Sequence, residues 1–99
     1  MSTPLDQIPA EDFARLIGQS LPAQAADQSF ALRIEAAEIS PHPSGRDLPG
    51  FALHLRAPAD FGLGQGVYAI EHPEHGRLQL FMTPIRRDAD GLLFEAVFN

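Results

Sequence analysis

An α+β fold is what this 99-residue sequence predicts: one N-terminal helix followed by a five-stranded antiparallel meander, curled into a strongly twisted sheet or a small partly open barrel. Three observations carry that expectation. The apolar spacing is helical near the start and switches to a period of about 2 from Ser29 onward. The period-2 segments are separated by short runs rich in proline, glycine and aspartate. The last two connections are short enough only for antiparallel neighbours. At 44% hydrophobic residues, the chain fits a single domain over 1–99.

The helix is expected over about 9–19. In "PAEDFARLIGQSL", Phe13, Leu16 and Ile17 line one face, Glu11 and Asp12 suit the positive N-terminal dipole, and Gly18 is a natural stop. Upstream, "STPLD" reads as a separate turn capped by Thr3. Strands follow at about 29–39, 51–57, 66–72, 77–85 and 92–99. In the first, Phe30, Leu32, Ile34 and Ala36 face one way, and the out-of-phase Ile39 predicts a bulge near Ala36–Ala37. In the second, Phe51, Leu53, Leu55 and Ala57 point inward, with His54 and Arg56 outward. "PHPSGRDLPG" and "PADFGLGQG" are surface loops by composition.

"HPEHG" (72–76) invites a metal reading, but turn chemistry accounts for it better. Proline presets the first turn position and Gly76 takes a left-handed last one, so four residues, 73–76, close a hairpin with His72 and His75 exposed. His72 then lies opposite Arg77, Ile70 opposite Gln79, Tyr68 opposite Phe81 and Val67 opposite Met82. Zinc takes three or four protein ligands, and His42 and His54 lie on another loop and strand, so no metal site is expected. "DADG" (88–91) lacks the carboxylate that an EF-hand loop needs at its twelfth position, where Val97 would fall. "GLGQG" precedes a strand rather than a helix and has no phosphate-cradle spacing.

Glu95 interrupts the apolar run "LLFEAVF" and is the most conspicuous acid. It is read as outward-facing and paired with Arg86 or Arg56, rather than as a general acid or base. Ser20, Ser29, Ser40 and Ser44 have no nucleophile elbow around them. With no cysteine, thiol catalysis and disulfides are excluded. A net charge of −6, with seven scattered arginines and no lysine, argues against nucleic acid and anionic membranes as partners. The start lacks the regions of a signal peptide, no apolar run nears the ~20 residues of a membrane span, and the cytoplasm is the expected location. No cofactor is implied.

"FALHLRAP", "LGQGVYAIEHPEHGRLQLFMTPI" and "DGLLFEAVFN" resemble a family of short bacterial proteins of unknown function. Its chains carry a Phe-x-Leu strand, Gln-Gly-x-Tyr, a His-Pro-x-x-Gly turn and a terminal Glu-Ala-Val-Phe-Asn. Glu11, Asp12, Phe13, Ile17 and Gly18 match its N-terminal helix end. This chain departs at His75, where the family is aliphatic, and at Phe94, where tyrosine is common. The resemblance implies a bacterial source, a helix-plus-sheet fold and an accessory or assembly role alongside phage-tail-collar-like proteins. It brings no catalytic residues.

The last three strands are apolar on both faces, which a sheet open to water on one side is not. The expected registers put Tyr68, Ile70, Phe81, Phe94 and Phe98 on one of them. These five are the expected contact residues of a non-enzymatic accessory or adaptor that acts through a protein partner or a second copy. The alternative is a small-ligand binder or small enzyme with a pocket at the barrel mouth, using Glu95, His54 or Tyr68.

Overall fold

Six strands close into a barrel in the order β1-β2-β3-β6-β5-β4, every neighbouring pair antiparallel. They are β1 (Ser20–Ala25), β2 (Gln28–Ile39), β3 (Phe51–Ala57), β4 (Gly66–His72), β5 (Gly76–Asp88) and β6 (Gly91–Phe98). The computed structural model describes residues 3–41 and 45–99; His42 and Ser44, weighed above as ligand and nucleophile, lie outside the described residues. The fold is mostly antiparallel β with little helix, and the barrel is closed rather than partly open.

The strand absent from the sequence reading is β1. "SLPAQA" has one large apolar residue and no aromatic or β-branched one, so its strand character comes from pairing and not from propensity. Pro22 sits where β1 has no partner on its β4 side, the placement proline needs in a sheet. Ala26 and Asp27, at φ 50° and 62°, form the two-residue turn into β2. Two positive φ values in succession are the type I′ geometry that matches strand twist.

The predicted meander is also corrected. β1–β2–β3 and β4–β5–β6 are each consecutive, but β3 pairs with β6, and β4 returns to β1. The β2 bulge falls between Ile34 and Ala36, slightly ahead of its expected place. The inward set of β3 is as read from the sequence: Phe51, Leu53, Leu55 and Ala57 are all buried.

The helix is much shorter than the predicted 9–19. A 3-10 turn, Leu5–Gln7, leads into α1 (Glu11–Ala14), and Ile17 is 50% exposed. Gly18, at φ 90°, donates its N–H to Ile34 O at 2.8 Å and turns the chain into β1. Four helical residues are not stable alone. Burial of Ile8, Ala10, Phe13 and Leu16 holds this segment across one end of the barrel, each large side chain contributing about 1.5–3 kcal/mol. Phe13 packs on Phe98 (5.6 Å between ring centroids) and Phe51 (6.1 Å). Phe30, Phe61, Tyr68 and Phe94 fill the opposite end.

Candidate interaction surface

Strand register decides which apolar residues reach the surface. Glu71 pairs with Arg77, Ile70 with Leu78, Tyr68 with Leu80 and Val67 with Phe81, one residue off the expected alignment. Pairing runs through to His72 and Gly76, leaving three residues in the turn instead of four. Because side chains alternate, that single step moves Phe81 to the opposite face from Tyr68. Of the five expected contact residues, Tyr68, Ile70, Phe94 and Phe98 therefore line the core, and Phe81 alone is on the outer wall. Phe98 stacks on Phe51 at 4.3 Å with 10° between planes.

Phe81 has company there. Val67 is its direct partner on β4. On the other side Thr83 pairs with Glu95, which brings Val97 next to Phe81 two residues further along. Val67, Phe81 and Val97 are 58%, 57% and 56% exposed, a row of large apolar side chains crossing three strands. They line a groove of about 720 Å³ whose remaining wall includes Leu5 and Asp6 of the 3-10 turn, with Arg46 and Glu95 at its rim. Arg46 is committed within the fold: it donates to Leu5 O at 2.9 Å and to Pro49 O at 2.9 Å, and its guanidinium lies 5.2 Å from the Phe51 ring centre. The rim carries two carboxylates, Asp6 and Glu95, against the one guanidinium of Arg46.

Glu95 meets neither Arg86 nor Arg56. Its Oε2 lies 3.1 Å from His54 Nε2 on the outer wall, while Tyr68 is inside the barrel with its hydroxyl donated to Gly64 O at 2.6 Å. Burial raises the Tyr68 pKa. The three residues of the pocket alternative are therefore split between two sides of the sheet. Arg56 donates to Asp88 at 2.8 Å and Glu35 at 3.3 Å and is buried, contrary to its expected outward exposure.

The histidines of the His72 turn are not exposed as expected. His72 is 3% exposed; its Nδ1 accepts N–H groups from Glu74 (3.0 Å) and His75 (3.3 Å), so its Nε2–H donates to Asp12 O at 2.9 Å. Burial lowers its pKa. His75 bridges Thr3 Oγ1 (2.8 Å) and Asp12 Oδ2 (2.7 Å), and Arg15 reaches Asp12 at 2.6 Å and Glu74 at 3.1 Å. Burial pushes the Asp12 carboxyl up, but the His75 bond and the Arg15 charge outweigh it and hold the pKa below the usual value. Thr3 thus binds the hairpin instead of capping a turn, and its own N–H is donated to His75 O. The hydroxyl–imidazole–carboxylate row has the composition of a nucleophilic relay, yet the groove just described does not reach it. It clips the N-terminal segment to the β4–β5 hairpin. Sequence reasoning missed this because turn geometry already explained the proline and glycine, and nothing local marks Asp12 as the partner 63 residues away. Among the described residues, no three or more His, Cys, Asp or Glu side chains are grouped to hold a metal ion.

The fold and surface define a small closed β-barrel domain with an apolar groove on its outer wall. Residues 8–98 match the family described as Domain of unknown function (DUF6916), and the chain belongs to that family. No curated protein and no solved structure matches it. No helix among the described residues is long and apolar enough to cross a membrane.

Proposed function

We propose that this chain is a non-enzymatic accessory or adaptor module that docks a protein partner on the outer wall of β4, β5 and β6. The observation that supports it is the exposed row Val67–Phe81–Val97 over its groove. Large contiguous apolar patches are rare on monomeric proteins and mark interaction surfaces. A two-fold dimer through the same patch would bring Asp6 and Glu95 toward their own copies on a chain of net charge −6. The rim instead complements a different protein, offering an apolar anchor flanked by basic residues. Assembly proteins of the phage-tail-collar kind are the candidate partners, on the sequence resemblance, and a bacterial cytoplasm is the proposed setting.

Light scattering on the purified chain, with parallel co-purification of wild type and Phe81→Glu from source cells, tests the proposal. A monomer that brings down one defined protein, lost in Phe81→Glu at unchanged melting temperature, is the expected result. Equal recovery by both forms, or a stable dimer insensitive to the substitution, would sink it.

A further inference from the structure

The groove has one wall that is not part of the barrel. Leu5 and Asp6 belong to the N-terminal segment, and the chain on either side of them is tied to the same hairpin turn. Before them, Thr3 gives its N–H to His75 O (3.2 Å) and its hydroxyl lies 2.8 Å from His75 Nδ1. After them, Asp12 accepts from His72 at its carbonyl (2.9 Å) and from His75 at its carboxylate (2.7 Å). The wall is a bow held at both ends by two adjacent imidazoles, with Arg46 donating to Leu5 O (2.9 Å) between them.

Those imidazoles are not equivalent. The two N–H groups aimed at Nδ1 of His72 leave that nitrogen as a lone pair, which fixes one neutral tautomer. A proton arriving there would face two donors, and the turn could no longer keep its shape. His75 lies inside that turn, its ring centre 4.7 Å from that of His72.

We propose that His72 is a proton-operated latch which, through His75, sets the position of the Leu5–Asp6 wall. As regulation of docking it rests on the groove being a docking site; as a movement of the segment it does not. Protonation of His72 forces the turn to reorganise and withdraws His75 from Thr3 and Asp12. The charged groups around the latch act in both directions. Asp12 and Arg15 face it from the N-terminal segment, and Glu74 and His75 from its own turn. The Phe13 edge, 4.9 Å away, brings no charge. Asp12 and Glu74 favour a proton on His72, and the His75 ring beside it opposes one. The buried Ile8 and Phe13 stay anchored, which confines the release to the residues before them.

The test is a histidine-ring and amide titration by NMR on the full wild-type chain, from about pH 8 to about pH 5, where histidine changes charge. No partner is present, so failure to find one for the groove leaves this result standing, and failure here leaves the groove standing. Expected first is the Nε2–H form of His72 at the alkaline end. As that ring gains a proton, amide exchange at Thr3 and Gln7, corrected for intrinsic rates, should accelerate about tenfold or more, while Leu32 and Leu55 stay protected. His72→Phe should show the fast exchange already at the alkaline end. If that variant does not fold, the wild-type titration decides alone. An Nδ1–H tautomer, a His72 that stays neutral until the whole barrel unfolds, or protonation without faster exchange at Thr3 would each overturn the latch.

Discussion

Gly91 is the position where one methyl group should cost most. It opens β6 at φ 129°, directly after the Asp88–Asp90 turn, and a Cβ there would overlap the carbonyl oxygen of Ala57 and sit 3.2 Å from its carbon. The obstacle is the backbone of Ala57, which pairs with Leu92 across the same seam, so it cannot swing away as a side-chain tip could. A side chain at a φ of this sign costs about 1–2 kcal/mol, and forcing a methyl into filled space adds about 1–3. Gly91→Ala should therefore lose roughly 2–5 kcal/mol, a large share of the 5–15 or so that a domain possesses. At about 4–8 °C per kcal/mol for a chain this size, melting should fall by on the order of 10–40 °C. Gly62→Ala is the control: nothing lies within 4 Å of its missing Cβ, and its effect should stay within about 0.5 kcal/mol. Circular dichroism melts and urea titrations of both variants measure this. A Gly91→Ala protein within about 1 kcal/mol of wild type would show that β3 and β6 do not approach as described.

Two further outcomes follow from the same geometry. Ala26→Gly should raise stability by up to about 1 kcal/mol in urea unfolding, because alanine at φ 50° bears a cost that glycine does not; a loss would mean the β1–β2 turn is not left-handed. Stability should decline as the solution is acidified below neutrality. His72, its pKa lowered by burial, resists the proton that the unfolded chain accepts near pH ~6.5, so the first loss starts there. Hydrogen bonding from Arg56 lowers the pKa of Asp88, and bonds from Arg33 and Arg56 outweigh burial to lower that of Glu35. These two, with Asp12, lose their contribution as pH falls through the carboxylate range. Urea midpoints from about pH 8 to about pH 3 check the sign, and a midpoint that rises between neutrality and pH ~5 contradicts it.

Strong apolar alternation made some elements legible. Phe51, Leu53, Leu55 and Ala57 announce β3 and its inward face without help from context. β1 did not announce itself, since Leu21 and Ala23 are its only buried residues and its pairing with β2 is what makes it a strand. Its absence also made the barrel look open, because β1 is the piece that joins β2 to β4. The outer patch was half visible. Apolar character on both faces of the last strands was plain, but which residues faced out depended on a turn of three residues or four. That choice is made by how far the His72–Gly76 pair zips up, and the buried His72 ring, accepting two turn N–H groups, favours the tighter turn. The partner of that ring, Asp12, is fixed by tertiary docking, which no local pattern encodes.

The strand order has a consequence for how the molecule comes into being. β1–β2–β3 and β4–β5–β6 are each sheets of sequence neighbours, and the only covalent link between them is the loop 58–65. Neither sheet can bury its inner face alone, because each one's lid is the other. In effect the barrel is a heterodimer whose two subunits share a tether. Its two seams differ sharply: β3 meets β6 over seven residue pairs, while β1 meets β4 over two. Assembly should begin at the long seam and finish at the short one. The protein, cut in the tether, should then reassociate as two chains, with the β1–β4 seam as the first to part under strain.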